Sequence, residues 1–375
     1  MKADVLIVGG GLVGCTAALM LARDGVDVVL VEAAGLHGQA SGANAGSIHL
    51  QIPYAEFCEL GEQWATRFAD VLPMMRRSVA LWEALGDELG DDCAVTRRGG
   101  LLVAETAEQM ALIEKKAAIE RAGGVDTEVI DRAELRSLAP YIAERMIGAA
   151  WCRQEGKGNP LRAGPAIARA ARAAGAQLIE RCAVLSLERE RSGWRAHTSS
   201  GAITAGRVVN AAGASAARVA AMAGVDIDVA GFPIQATVTE AAEPIVPHLV
   251  YSAAARLTLK QMGNGTIVIG GGWPSRVSRD GRLCVSAASL AANMGTARAT
   301  VPAVGRLRAV RTWPAFVNGT TDWLPLLGEA PGARGFFLAL FPWMGFTGAP
   351  ITARVVSDLV LGRTADVDPS LLMAA

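Results

Sequence analysis

The N-terminal segment DVLIVGGGLVGCTAALMLARDG (residues 4–25) decides the fold of this chain. Its first part, DVLIVGG, carries one unbroken apolar run and is typical of a strand buried on both faces of a parallel sheet. The second part has helical spacing, and Gly25 suits the end of that helix because glycine adopts the left-handed conformation freely. The next stretch, VDVVLVE (residues 26–32), predicts another buried strand. The chain therefore opens with a βαβ unit.

The turn between this strand and this helix has the pattern Gly9-x-Gly11-x-x-Gly14. The first glycine permits the turn, the second leaves room for a pyrophosphate, and the third allows the helix and strand to pack closely. Glu32 ends the next strand, 18 residues after Gly14, where a carboxylate accepts hydrogen bonds from ribose hydroxyls. The pattern predicts a dinucleotide site; the alternative is a glycine-rich turn that only packs.

Length and composition narrow the class of protein. The chain has 375 residues, which favours two domains, and 51% of them are hydrophobic. Its formal net charge is zero, which argues against nucleic acid as a partner. The six cysteines form no C-x-x-C pair, so no metal site is predicted. The apolar residues 6–22 are fewer than the roughly 20 that a membrane span needs. We expect a cytoplasmic protein and leave a peripheral membrane contact open.

A second stretch of small residues, ASGANAGSIHLQ (residues 40–51), follows where a nicotinamide enzyme would continue with regular βαβ repeats. A permanently bound flavin needs such a sleeve of backbone, and Ser41 and Asn44 could bond its pyrophosphate or ribityl oxygens. A second glycine-rich turn, ALFPWMGFTGAP (residues 339–350), would place a helix N-terminus where it stabilises negative charge on a reduced flavin. These stretches favour FAD over NAD.

The remaining pattern predicts an α/β protein with a Rossmann-like FAD-binding domain built from discontinuous segments. Residues 228–310 read as strands of a mainly antiparallel sheet, which forms an inserted substrate domain of α+β character. We expect the FAD-binding domain to comprise residues 1–80, 145–225 and 315–375, and the substrate-binding domain residues 81–144 and 226–314. Other predicted helices span residues 59–90, 106–122, 161–178 and 350–361, and other predicted strands span residues 178–189, 207–213 and 335–341.

With these motifs in order along the whole chain, the sequence resembles the D-amino-acid oxidase superfamily of FAD-dependent amine oxidoreductases. The resemblance includes VVNAAGASAARVA (residues 208–220), RTWPAFVNGTTDWLPLLGEAPGARGFF (residues 311–337) and GFTGAPITARVVSDLVLG (residues 345–362). The order GGLLVAE, EGKGNPLRA, LKQ and IGGGW is most similar to the flavin β-subunits of opine and D-hydroxyproline dehydrogenases, within a superfamily that includes glycine and sarcosine oxidases.

The resemblance implies oxidation of a C–N bond in a D-amino acid, imino acid or opine-like secondary amine. Hydride passes to flavin N5, and the imine then hydrolyses. It also implies an electron acceptor, which could be a quinone, a partner subunit or oxygen, and it leaves room for a hetero-oligomer. The positions that match the family's FAD contacts, beyond Gly9, Gly11 and Asn44, are Leu12, Val13, Gly14, Glu32, Ala33, Ala40, Ser41, Ala45, Gly46, Ser47, Val184, Ala212, Gly213, Met344, Gly345, Phe346, Thr347 and Gly348.

Two departures from the family pattern bear on function. Glycine-oxidase-like members carry a carboxylate-binding Arg four residues after a Trp, whereas Trp313 is followed at that distance by Val317. Arg256, Lys260 and Arg311 are therefore candidate anchors for a substrate carboxylate. Sarcosine-oxidase-like members place an oxygen-activating Lys on the strand over the flavin, and residues 266–272 contain none. This favours a dehydrogenase over a peroxide-forming oxidase. Since no cysteine lies at an expected linkage position, we expect noncovalent FAD.

The candidate catalytic residues are His49, Lys260 and Gln51. On a strand, Ser47, His49 and Gln51 share one face, so a flavin contact at Ser47 would point the other two at the substrate. A histidine there could orient or deprotonate an amine, although a structural role is the alternative. The further candidate substrate contacts are Tyr251, Trp273 and Trp343. Core packing is the competing interpretation for Tyr251 and Trp273, whereas Trp343 would restrict the substrate beside the flavin ring. A non-catalytic flavin-holding subunit is the alternative function from another class.

Overall fold

A computed structural model of the chain describes residues 1–90, 93 and 95–373. Its strands are β1 (Lys2–Val8), β2 (Val28–Val31), β3 (Ser47–Ile48), β4 (Thr96–Arg97), β5 (Gly100–Ala104), β6 (Thr127–Asp131), β7 (Gly148–Cys152), β8 (Gly156–Lys157), β9 (Gln177–Ile179), β10 (Val184–Glu190), β11 (Gly193–Thr198), β12 (Gly201–Asn210), β13 (Ala230–Ala241), β14 (Leu249–Ser252), β15 (Thr258–Gln261), β16 (Thr266–Gly270), β17 (Arg276–Val277), β18 (Leu283–Cys284), β19 (Ala309–Gly319), β20 (Leu326–Glu329) and β21 (Phe336–Leu340). Its helices are α1 (Leu12–Arg23), α2 (Ala40–Ala43), α3 (Tyr54–Ala69), α4 (Leu72–Glu88), α5 (Ala107–Ala122), α6 (Arg132–Leu138), α7 (Pro160–Ala173), α8 (Ala216–Met222), α9 (Ala287–Thr300) and α10 (Gly345–Val360).

The first large sheet has a parallel centre in the order β9-β2-β1-β12-β21. Strand β1 lies in the middle and is buried on both faces, since Val5 and Ile7 join one apolar cluster while Leu6 and Val8 join another. Helices α1, α7 and α10 pack together on one of these faces. The antiparallel pair β10–β11 extends the sheet along the first half of β12. The predicted βαβ unit is thus confirmed, and Gly25 ends its helix with a φ of +80°.

The second large sheet is mainly antiparallel, with the strand order β19-β13-β16-β15-β14-β5-β7-β6. Of its neighbouring pairs, only β14 and β5 run parallel within the described chain. Alternate residues of these strands, such as Leu101, Val103, Leu259 and Ile269, are fully buried beneath α9 and the segment that follows α6. A small three-stranded sheet, β3-β8-β4, lies where the chain leaves the first sheet. The predicted mixed α/β fold is confirmed.

Several predicted boundaries differ from the structure. The predicted helix at residues 59–90 is two helices, α3 and α4, and the predicted strand at residues 178–189 is two strands, β9 and β10, separated by a turn. Helix α10 begins at Gly345, five residues before the predicted start, because Pro350 is accommodated within its early turns. In the first two cases the apolar pattern continues across a change of direction that only the packing reveals.

The division into two domains stays a prediction. The strands of the first sheet fall within residues 1–80, 145–225 and 315–375, but β7, which also lies in the second of these segments, pairs with β5 and β6 of the second sheet. Strand β19 crosses the predicted boundary at residue 315. If each domain keeps its sheet whole, we propose that the boundaries move to follow β7 and β19.

Across the described residues, none of the helices is both long enough and apolar enough to span a bilayer. The same residues contain no group of three or more His, Cys, Asp or Glu side chains that could hold a metal ion.

Candidate active site

The glycine turn after β1 forms a backbone cradle that side chains would fill. A Cβ atom on Gly9 would lie 2.4 Å from the carbonyl oxygen of Ala211, and one on Gly14 would lie 2.0 Å from the carbonyl oxygen of Gly9. Gly9 also has a φ of +113°, which a residue with a side chain rarely adopts. The turn thus packs against Ala212 at the end of β12, next to Gly213. Close packing within the protein therefore requires glycine at positions 9 and 14, and a Cβ atom on Gly11 would lie 2.8 Å from the hydroxyl oxygen of Ser41.

Side chains from two other segments organise this cradle. The carboxylate of Glu32 accepts the amide of Gly10 at 2.7 Å and the amide of Ala34 at 2.9 Å, so the acid lies beside the turn at the end of β2. The hydroxyl of Ser41 accepts the amide of Leu12 at 2.9 Å, at the first turn of α1. The predicted dinucleotide contacts from residues 9–14, 32 and 41 are therefore brought together at one edge of the sheet.

The small-residue segment from residue 40 to residue 47 forms α2 and a tight loop. Both polar groups of the Asn44 side chain form hydrogen bonds within this loop. Its NH₂ group donates to the carbonyl of Ser41 at 2.7 Å, and its oxygen accepts the amide of Gly46 at 2.7 Å. Gly46 has a φ of +74°, and a Cβ atom there would lie 2.1 Å from the carbonyl oxygen of Gly158. Asn44 shapes the loop, which leaves Ala40, Ala45 and Gly46 as a wall without bulky side chains.

A cavity of about 1100 Å³ opens beside this wall. It extends from residues 40–47 past the N-terminal end of α10, where Met344 and Phe346 line it, to loops of the second sheet. Thr347 lies behind this lining, and its hydroxyl accepts the amide of His49 at 2.9 Å. Gly348 cannot carry a side chain, because a Cβ atom would lie 2.3 Å from the ring of Phe341. The glycine cradle, the bare wall and this large cavity suit an elongated dinucleotide with a flat ring, and they fit FAD.

The remaining predicted FAD contacts lie around the cradle. Val184 is buried at the start of β10, in the same apolar cluster as Val8, Val31 and Ala212. Ala33 is exposed beyond Glu32, and Val13 is half-buried in the first turn of α1. Gly345 opens α10, where a Cβ atom would meet nothing within 4 Å. Contacts between these residues and FAD stay predictions.

His49 lies in the cavity wall and contacts Tyr251, a residue of the second sheet. The Nδ1 atom of His49 lies 2.8 Å from the Tyr251 hydroxyl, so Nε2 is the ring nitrogen that remains to contact a ligand. Burial, with a smaller contribution from the charge of Lys260, lowers the pKa of His49 to about 3. His49 is therefore neutral at physiological pH and presents a polar, uncharged nitrogen to a ligand.

Lys260 is fully buried on β15, and its ammonium group hydrogen-bonds the hydroxyl of Ser47, which lines the cavity. Burial lowers the pKa of Lys260 to about 7, and the charge of Lys157 adds to this effect. Lys260 also lies directly opposite Val268 of β16 in the antiparallel register, so the two side chains share one face of the sheet. The structure thus brings Lys260 to the back of the cavity wall, one hydroxyl away from a ligand.

Gln51 lines the same cavity, although β3 ends at Ile48 and the predicted strand does not continue to residue 51. The side-chain amide of Gln51 donates to the carboxylate of Glu155 at 3.0 Å, and its oxygen accepts the ammonium of Lys116 at 3.3 Å. Gln51 is thereby tied into a buried polar cluster behind the wall. Its partners leave it less free to bind substrate than the predicted strand alternation implied.

Aromatic side chains close one side of the cavity. Trp343 stacks on Trp323 with ring centroids 4.8 Å apart, and Phe232 packs against Trp343 at 4.4 Å. The φ angles of Trp343 and Trp323 are +58° and +67°, a backbone conformation that costs free energy for residues with side chains. All three line the cavity together with Trp313, whose indole donates to the carbonyl of Ala43 at 2.7 Å.

The candidate carboxylate anchors lie in different environments. Arg256 lines the cavity and forms an ion pair with Glu56 of α3 at 2.7 Å. Arg311 is exposed on β19 and lies outside the residues that line the cavity. Trp273 also lies outside the lining, and its indole donates to the carbonyl of Arg256 at 2.8 Å. The structure therefore places the Arg256 side chain at the cavity. Trp273 hydrogen-bonds the backbone of Arg256, and Arg311 lies outside the cavity lining.

Sequence reasoning missed several residues of this site. Glu155, Lys116 and Glu120 are fully buried charged residues behind Gln51, and Glu56 and Trp323 line the cavity. Glu155 lies in the EGKGNP stretch, but no spacing within that stretch indicates that its side chain turns inward. Lys116 and Glu120 have the i,i+4 spacing of an ordinary surface pair. Only the packing of α5 against α3 and the cavity wall shows that this pair is buried.

Comparisons with known proteins agree with this geometry. The family model described as FAD dependent oxidoreductase (DAO) matches residues 4–359. The chain is 28% identical to glycine oxidase of Geobacillus kaustophilus, over 95% of this chain and 92% of that protein. It is 27% identical to a subunit of opine oxidase from Rhizobium meliloti, over 100% of this chain and 97% of that protein. The crystal structure of the Geobacillus glycine oxidase superposes with a TM-score of 0.85 at 26% identity, covering 98% of this chain and 97% of that one. The chain belongs to the DAO family of FAD-dependent oxidoreductases, and its cofactor is FAD.

Proposed function

We propose that this enzyme oxidises the carbon–nitrogen bond of a D-amino acid, an imino acid or an opine-like secondary amine. FAD, when bound, supplies the hydride acceptor at flavin N5. One observation carries the proposal: a neutral His49 and a buried Lys260 of lowered pKa meet at the cavity wall between the bare loop 40–47 and the N-terminal end of α10. A polar pair of this kind suits an amine that must lose a proton before its C–H bond breaks.

The proton of the substrate amine has a short route out of the cavity. The amine group of Lys260 is hydrogen-bonded to the hydroxyl of Ser47. In its neutral form Lys260 would accept a hydrogen bond from that hydroxyl, which would accept in turn from the ammonium group of the substrate. A base with a pKa of about 7 is matched to proton transfer near neutral pH. His49 is too weak a base for this step, because its pKa of about 3 means that it gains a proton only in strong acid, and we assign it to orient the amine instead. The substrate loses a proton and a hydride, and water then hydrolyses the imine to a carbonyl compound and an amine.

The cavity lining supports the proposed substrate class. Arg256 offers the cavity a guanidinium group for a carboxylate, and its present partner Glu56 would be exchanged for that carboxylate. Trp343, Trp323 and Phe232 give the cavity an apolar surface for a carbon chain. These features favour a carboxylated amine with an apolar substituent over glycine itself. Relatives that carry the word subunit in their names support a hetero-oligomer, and we propose that a further subunit takes part in electron transfer.

The choice between a dehydrogenase and an oxidase depends on whether a lysine lies close to the flavin on the strands of the second sheet. The absence of Lys from residues 266–272 favours a dehydrogenase, which is our first proposal. A peroxide-forming oxidase is the second, because Lys260 lies opposite Val268 on the same face and supplies a cation from the neighbouring strand. Turnover with a dye acceptor under anaerobic conditions, compared with peroxide formation in air, separates the two.

The experiment that tests the proposed function is anaerobic bleaching of the flavin band at about 450 nm. Purified FAD-loaded enzyme is mixed with a panel of D-amino acids, N-methyl amino acids, cyclic imino acids and opines. We expect rapid bleaching by at least one carboxylated amine, with a carbonyl product. A yellow protein that no amine in the panel bleaches would contradict the proposal and would favour a non-catalytic flavin-holding subunit.

A further inference from the structure

Six of the residues that line the cavity form an apolar surface, which we call the apolar wall. They are Phe232, Ile234, Ala315, Val317, Trp323 and Trp343. The antiparallel register places Phe232 opposite Val317 and Ile234 opposite Ala315, so these four side chains share one face of the β13–β19 pair. Trp343 packs against Phe232 and stacks on Trp323, which extends the wall beyond the two strands.

The apolar wall leaves part of its surface uncovered. Phe232 is 37% exposed, and Val317, Trp323 and Trp343 are half-buried. A ligand that covers such a surface with its own apolar groups gains affinity, by a factor of about four for each methylene group removed from water. A ligand that uses this wall must therefore carry an apolar part.

Gly319, the last residue of β19, determines where the aromatic rings of the wall lie. A Cβ atom on Gly319 would lie 2.4 Å from a ring carbon of Trp343 and 2.7 Å from a ring carbon of Phe232. The φ angle of Gly319 is outside the left-handed region, so its own backbone does not require glycine. The two rings exclude a side chain at this position, and a larger residue would push them away from β19.

Hydrogen bonds on both sides of Gly319 hold Trp343 in place. The backbone amide of Trp343 donates to the carbonyl of Asn318 at 2.9 Å, and its indole donates to the carbonyl of Thr320 at 3.3 Å. These two acceptors flank Gly319 in the sequence, so the indole lies across this residue. Contacts with the end of β19 thus support the left-handed backbone of Trp343, which costs free energy by itself.

We propose that Gly319 is a positioning residue that determines substrate specificity. Because it carries no side chain, the rings of Trp343 and Phe232 pack against β19, and the apolar wall that results selects amines with an apolar substituent of several carbon atoms. This inference rests on the proposed function, in which Arg256 binds the substrate carboxylate, and it adds the size and character of the remaining substituent. A substrate as small as glycine leaves the wall uncovered and gains no affinity from it.

Titration calorimetry of the FAD-loaded enzyme with acetate, butyrate and hexanoate tests the wall without turnover, because these carboxylates have no C–N bond to oxidise. We expect the affinity to rise by a factor of about four for each methylene group that the wall covers. Gly319→Ala should leave the affinity for acetate unchanged and remove most of this rise, because the displaced rings no longer match the carbon chain. A residue that only stabilised the fold would change the affinity for all three carboxylates by the same factor.

Val317→Thr changes the polarity of the wall and keeps its shape. A hydroxyl group then replaces a methyl group beside the ligand, so we expect hexanoate to bind about three- to tenfold more weakly, with little change for acetate. Val310→Thr is the matched control, because Val310 lies on the same strand, is 66% exposed and lies outside the cavity lining. We expect this control to bind all three carboxylates as the wild type does.

The proposal is overturned if the wild type binds none of the carboxylates or binds hexanoate no more tightly than acetate. It is also overturned if Gly319→Ala keeps the full rise in affinity, or if Val310→Thr weakens hexanoate as much as Val317→Thr does. If Gly319→Ala loses FAD, the smaller ring in a Gly319→Ala/Trp343→Phe double variant should restore FAD binding, and a failure to restore it counts against the role of Gly319. The proposed function fails separately, if no amine bleaches the flavin, and the calorimetry still reports on the wall in that case.

Discussion

At the scale of single residues, Lys260 has the most informative surroundings. Its side chain is fully buried, and the charge that acts on it comes from another cation, Lys157. Burial and this repulsion both favour the neutral amine, which explains a pKa of about 7. A lysine in that state can take a proton near neutral pH, whereas a surface lysine cannot.

Replacing Lys260 by Met should abolish the pH dependence of the rate of flavin reduction. In the wild type, we expect the rate of anaerobic flavin reduction at low substrate to rise as the pH passes about 7, because only the neutral amine accepts a proton. In Lys260→Met this rise should disappear, and the rate at alkaline pH should fall about 100-fold, a usual contribution of a general base. Stopped-flow absorbance across a pH series measures both effects.

Lys157→Met supplies the control for this pH profile. Removing the neighbouring positive charge makes protonation of Lys260 easier, so the rise in rate should move to higher pH while its height is kept. A Lys260→Met profile that still rises near pH 7 would show that another group controls the reaction.

The same pKa determines how stability changes with pH. The pKa of Lys260 is lower in the folded protein than the ordinary value of 10.5, so the unfolded chain binds more protons between these values. The contribution of Lys260 to stability is therefore complete above pH 10.5 and is lost as the pH falls towards 7. Urea unfolding of the wild type and of Lys260→Met should show a shallower pH slope for the variant in this window.

At the scale of helices and strands, the close approach of α1 to β1 makes the cofactor site. A Cβ atom on Gly14 would lie 2.0 Å from the carbonyl oxygen of Gly9, so an added methyl group would separate the helix from the turn. We expect Gly14→Ala to lose FAD during purification and to have a lower Tm. Absorbance at the flavin band and thermal unfolding measure the two effects.

Gly86 in α4 provides the matched control for this substitution. A Cβ atom there would meet nothing within 4 Å, and its backbone is helical. Gly86→Ala should therefore stabilise the protein by about 1 kcal/mol, because alanine loses less conformational freedom on forming a helix. Full FAD retention in Gly14→Ala would show that the turn tolerates a wider separation than its geometry indicates.

At the scale of the whole molecule, the cavity lies where the two large sheets meet. The first sheet contributes the loop 40–47 and the end of α10, while the second contributes Tyr251 and Arg256. The ion pair between Arg256 and Glu56 of α3 connects the loop of the second sheet to the helical layer across this opening. The substrate would enter beside a pair that already holds a carboxylate in place.

Substitutions of Arg256 and Glu56 are expected to change KM for a carboxylated substrate in opposite directions. Arg256→Gln should raise KM for a carboxylated substrate about tenfold or more, because a charged hydrogen bond is lost. Glu56→Gln should lower KM, since the guanidinium no longer has an internal competitor. Steady-state kinetics with the best carboxylated amine, and with the corresponding uncharged amine as control, check this. Equal changes for the two substrates would remove Arg256 from carboxylate binding.

The sequence by itself determined the features that depend on local spacing. The βαβ unit, the glycine turn at residues 9–14 and the acid at Glu32 all follow from patterns within about 30 residues, the size of a single supersecondary unit. The same is true of the small-residue segment that forms the cavity wall. The prediction of FAD also used the stretches 40–51 and 339–350. Such patterns are readable because periodicity and turn chemistry act over short distances along the chain.

Only the tertiary structure decided which charged groups meet behind that wall. Glu155 contacts residues more than 100 positions earlier, Tyr251 lies 202 positions from His49, and Lys260 lies 213 positions from Ser47. Strand register places Lys260 opposite Val268, and no spacing within either strand reveals it. The burial of these charges, and so the pKa of Lys260, depends on packing between the two sheets. The physical reason is that burial and hydrogen-bond partnership are properties of the assembled interior, whereas a sequence pattern reports only neighbours along the chain.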